Sequence, residues 1–86
     1  MSQPASTHEM KRAATLQLFR FKQAIIRHVD EGKDSMNPRI KNLMQDIETL
    51  QDKIDALDPA DSWPSDFTDE FKQLYRTIHR LRISLN

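Results

Sequence analysis

Between Ile40 and Leu57 the apolar positions are Ile40, Leu43, Ile47, Leu50, Ile54 and Leu57, separated by alternating steps of three and four. Those steps keep all six side chains on one seam of an α-helix, and they predict a helix over about 38–57. Isoleucine fills every a position and leucine every d position. In parallel coiled coils that choice favours two strands. The run is shorter than three full heptads, however, and the chain carries matching seams on either side of it. An intramolecular antiparallel packing therefore fits at least as well. The six residues are the expected core or self-association seam.

A first helix is expected over about 8–30. Ala14, Leu18, Phe21, Ile25 and Val29 form one stripe, and Gly32 stands where a left-handed residue would end the helix. A shorter second seam, Leu16, Phe19 and Ile26, lies to the side of the first and is interrupted by Gln23. In a three-helix bundle each helix touches two neighbours, which accounts for the extra width; otherwise Phe19 and Ile26 face another chain. A third helix is expected over about 65–84 with the seam Phe67, Phe71, Leu74, Ile78, Leu81 and Leu85. Tyr75 widens that face beside Phe71, and Ile83 falls outside it. Asp66, Asp69 and Glu70 at the start and Arg80 and Arg82 near the end suit the helix dipole.

The connections are equally readable. Asp30 to Met36 is rich in turn residues, and Asn37-Pro38 combines a favoured N-cap with proline at the first helical position. Asp58-Pro59 and Pro64 exclude a continuous helix between the second and third seams. Trp63 in this link is expected to fold back over the open end of the bundle, the other role for it being an exposed anchor. The expected fold is all-α, a three-helix up-down-up bundle with coiled-coil-like heptad seams, forming a single helical domain over 8–86.

Composition adds limits. With 86 residues, one glycine, no cysteine and 30% charged residues, the chain has room for one core and has neither a disulfide framework nor a thiolate metal site. Association through a seam would relieve the marginal stability of so short a chain, so a homodimer is expected. Residues 1–7 are small and polar, without the basic start and apolar run of a secretory signal, and read as a disordered tail. No stretch approaches the roughly 20 apolar residues that span a bilayer. A cytoplasmic protein without membrane contact is the expectation. The net charge of zero divides into +4 over 1–29, −8 over 30–70 and +4 over 71–86. Two basic helices thus flank an acidic middle, and opposite charges are expected to meet within the bundle or between its copies.

Candidate chemistry is sparse. His8, His28 and His79 have no histidine or cysteine at ligand spacing, no glycine-rich phosphate loop exists, and no nucleophile, base and orienting group come together. Neither a catalytic, a metal nor a cofactor site is expected. Asp34-Ser35-Met36 resembles the Asp-Ser-Leu/Met context in which carrier proteins attach phosphopantetheine to a serine, which would make Ser35 the attachment point. The resemblance covers three residues. Asn37-Pro38 stands where a carrier protein continues its acidic recognition helix, and Arg39 and Lys41 bring the opposite charge, so turn chemistry is the expected role.

What remains is a helical face offered to another protein. Leu16, Phe19, Ile26, Tyr75 and Trp63 exceed what one small core needs and are the candidate partner face of a non-enzymatic adaptor, chaperone-like or regulatory subunit. The alternative is a nucleic-acid-binding regulator using Arg12, Arg20 and Arg27 on the first helix and Lys72, Arg76 and Arg80 on the third. The acidic middle would repel a duplex, and no short glycine turn of a helix-turn-helix precedes either strip.

Overall fold

Ser6 starts the first helix. In the computed structural model, which describes residues 6–34 and 36–85, its side chain accepts a hydrogen bond from the amide of Glu9 at 3.2 Å. That bond satisfies one of the amides a helix N-terminus leaves open. Three helices follow, α1 (Thr7–Asp30), α2 (Pro38–Ala56) and α3 (Ser65–Arg80), and the described residues contain no strand. The protein is all-α, with the helices packed against one another. The helix takes in Thr7, whose hydroxyl donates to the carbonyl of Asp61, so the expected tail is too long at that end. Its remaining residues, 1–5, lie outside the described residues.

α1 stops as its sequence requires. Gly32 takes a φ of 80°, its amide bonds the carbonyl of Val29, and the amide of Lys33 bonds that of His28. This is the Schellman arrangement, open to glycine without steric cost. α2 starts as expected too, the Asn37 side chain accepting from the amide of Arg39 at 3.0 Å with Pro38 at the first position. Its end falls at Ala56, and Leu57, now extended, is half-buried. The chain then turns at Asp58, whose side chain accepts from the Ala60 amide and whose carbonyl accepts from that of Asp61.

The end of α3 departs from expectation. It finishes at Arg80, four residues short of the expected end, because the chain makes a second Schellman turn. The Arg82 amide bonds the carbonyl of His79, the Ile83 amide bonds that of Ile78, and Arg82 takes a φ of 56°. A left-handed arginine costs about 1 kcal/mol relative to glycine. The turn brings Ile83 into the core at 6% exposure and leaves Leu85 outside at 38%, reversing the roles the heptad assigns them.

The core is one cluster. Ile40, Leu43, Ile47, Leu50 and Ile54 of α2 are all buried within the chain, together with Leu18, Phe21 and Ile25 of α1 and Phe67, Leu74 and Ile78 of α3. The backbone of α2 approaches both neighbours, whereas among the described residues no Cα of α1 comes within 8 Å of one in α3. Side chains span that gap: the rings of Phe21 and Phe71 are tilted 53° to each other with centroids 6.4 Å apart. Polar links join the start of α1 to the end of α2. Lys11 Nζ donates to the Leu57 carbonyl at 2.6 Å, and Gln51 Nε2 donates to Thr15 Oγ1 at 3.3 Å. Lys53 Nζ reaches Glu70 Oε1 of α3 at 2.8 Å.

Candidate protein-interaction face

The second seam of α1 does not serve the core. Leu16, Phe19 and Ile26 are 52%, 57% and 45% exposed, while the buried residues Ala14, Leu18, Phe21, Ile25 and His28 occupy the opposite side of the same helix. Their spacing explains the division. Leu16, Phe19, Gln23 and Ile26 follow steps of three, four and three, and the buried set follows the same steps on the far side of the helix. The expected second neighbour does not cover them, because α3 lies on the core side of α1, at Phe21. The stripe is continuous with a groove of about 690 Å³ lined by Leu16, Phe19, Thr15 and Arg12 of α1 and by Pro59 of the α2–α3 connection.

Two members of the expected partner face lie elsewhere. Tyr75, 53% exposed, stacks on His79 and borders a shallow groove formed by Phe21, Phe71, Lys72 and Arg76 between α1 and α3. Trp63 packs edge-on against Phe67 with ring centroids 5.2 Å apart, partly buried against the core, and donates from Nε1 to Thr68 Oγ1 at 3.4 Å. That matches the expected fold-back over the bundle end and takes it off the α1 stripe. The basic residues Arg12, Arg20, Arg27, Lys72, Arg76 and Arg80 are all exposed. Arg12, Leu16 and Arg20 stand four residues apart on one row of α1, so the arginines bracket Leu16.

A buried histidine paired with an exposed carboxylate sits at the other end of α1. His28 is 7% exposed, and its Nε2 lies 2.8 Å from Asp34 Oδ2, a carboxylate carried on a left-handed residue with φ 53°. The hydrogen bond from His28 holds the Asp34 carboxyl below its usual value near 3.8. A carboxyl lowered in the folded state adds stability above its unfolded value and loses that contribution as pH falls through the folded one. Urea midpoints of the wild-type chain are therefore expected to drop below about pH 4. In Asp34→Asn, which keeps a side chain suited to the left-handed turn, the same acid range gives a flatter profile. Equal slopes in the two proteins would remove the pair as a source of stability.

His28 also borders a small groove lined by Arg27, Glu31, Lys33, Arg82 and Ser84. Groups of three or more metal-ligating side chains are absent among the described residues. Ser35, the residue on which the carrier-protein resemblance turns, lies outside the described residues. A groove between α2 and α3, lined by Asp46, Thr49, Gln73 and Glu70, holds a buried Glu70 Oε2 without a hydrogen-bond partner among the described residues, while Oε1 binds Lys53. No helix is long and apolar enough to cross a membrane among the described residues. Comparison with protein-family models, with curated proteins and with solved structures finds no match to this chain.

Proposed function

We propose that the protein is a non-enzymatic helical interaction module whose working surface is the outward side of α1. The observation that carries this reading is the exposure of Leu16, Phe19 and Ile26 on the face turned away from the core. An apolar stripe at helical spacing, continuous with a groove, is the form in which one helix receives another. The α2 seam is buried inside the chain, so a homodimer would use Leu16, Phe19 and Ile26 of α1 instead. An up-down-up arrangement with coiled-coil-like seams belongs to the same reading. It is supported by the pairings of Lys11 with Leu57, Thr15 with Gln51 and Lys53 with Glu70.

The test is the double substitution Phe19→Asp and Ile26→Asp in the full chain. Both side chains face water, so helical content by circular dichroism is expected to stay unchanged. Native mass measurement is expected to show loss of any dimer and of any protein that co-purifies with the wild type. A folded variant with the same mass and the same companions as the wild type would remove the proposal. Contact with nucleic-acid phosphates is the second reading, supported by the exposed arginines of α1 and α3. It requires a salt-dependent mobility shift with generic duplex DNA or RNA.

A further inference from the structure

Resting on that reading, we propose that the occupant of the α1 face is an acidic amphipathic helix of another protein. Residues 10–29 contain Lys11, Arg12, Arg20, Lys22 and Arg27 and not one aspartate or glutamate. Arg12 and Arg20, both exposed, stand one turn before and one turn after Leu16, so positive charge frames the Leu16–Phe19 part of the stripe. A helix with leucine-like residues on one seam and carboxylates beside it meets both features at once. Its apolar side chains cover Leu16, Phe19 and Ile26 and enter the groove against Pro59, and its carboxylates pair with Arg12 and Arg20.

Two other occupants fit less of this surface. A second copy of the same face would set the basic stretch 10–29 against itself in either orientation. Nucleic-acid phosphates would match the arginines and leave the apolar stripe uncovered. An anionic membrane surface matches charge and hydrophobicity as well, and the vesicle arm of the experiment below separates it from the helix.

The experiment uses the full chain and two synthetic helices of about three heptads, identical except that the residues flanking the leucine seam are glutamate in one and lysine in the other. Fluorescence polarisation at low salt is expected to give about tenfold tighter binding of the glutamate helix, with the ratio shrinking at high salt. The Arg12→Glu and Arg20→Glu double variant is expected to reverse the preference. Vesicles containing anionic phospholipid and a generic DNA duplex are run in parallel. Equal binding of the two helices, or tighter binding to vesicles or DNA than to the glutamate helix, would overturn the acidic-helix assignment. A dimer that Phe19→Asp dissociates and the glutamate helix does not compete with would overturn it too, and would leave the interaction face standing. Unchanged binding of the glutamate helix to Phe19→Asp would sink the face itself.

Discussion

Phe21→Ala is expected to remove about 3–5 kcal/mol, much or all of the stability of a domain this small. Phe21 is 2% exposed, and its ring meets Phe71 across a gap that the backbones of α1 and α3 do not close. Truncation therefore does two things. It opens a ring-sized cavity that the distant backbones cannot fill by a small shift, and it removes the ring contact by which α3 meets α1. Urea denaturation followed by circular dichroism measures the loss. Phe71 is only half-buried, so Phe71→Ala is expected to cost less. The double variant should show a coupling of about 0.5–1.5 kcal/mol, the value typical of aromatic pairs. Additive losses would mean that the two rings do not meet in solution.

The second large effect separates two readings of the C-terminal segment. Ile83→Ala is expected to cost about 2 kcal/mol or more, and Leu85→Ala no more than about 0.5 kcal/mol, measured by the same denaturation. The heptad seam predicts the opposite order, because it extends the helix through Leu85 and leaves Ile83 off the face. The difference comes from one residue. Arg82 in a left-handed conformation turns the chain at the helix end, so Ile83 folds back beside Ile78, whose carbonyl accepts its amide. In that motif an apolar contact between these two positions is the usual companion of the hydrogen bonds.

These cases show why some of the structure was legible in the sequence and some was not. The α2 seam was readable because the period of Ile40 to Ile54 reports directly on which side of a helix is dry, and all five residues are buried. The starts and stops with dedicated chemistry, Asn37-Pro38 and Gly32, were readable for the same local reason. Ser6 and Glu9 form an S-x-x-E signature that marks the start of α1, a signal present in the sequence but hidden there by treating the first seven residues as a tail. The end of α3 was not legible, since arginine at a left-handed cap carries no residue signature. Lys53 of α2 binds Glu70 of α3. Spacing along one helix cannot say which neighbour supplies the opposite charge. The width of α1 was legible as a pattern. Whether a second helix covers it depends on where α3 lies, which is a tertiary fact; the structure leaves Leu16, Phe19 and Ile26 in water and draws Trp63 inward against Phe67.

The central place of α2 has a consequence for how the chain acquires its shape. Its backbone neighbours are the helices directly before and after it in the sequence, and the links between them are short. Loop closure is then cheap at every step, and a topology this local places folding in the microsecond-to-millisecond range. The contacts of α1 with α2 and those of α2 with α3 can therefore each begin to form without waiting for the third helix.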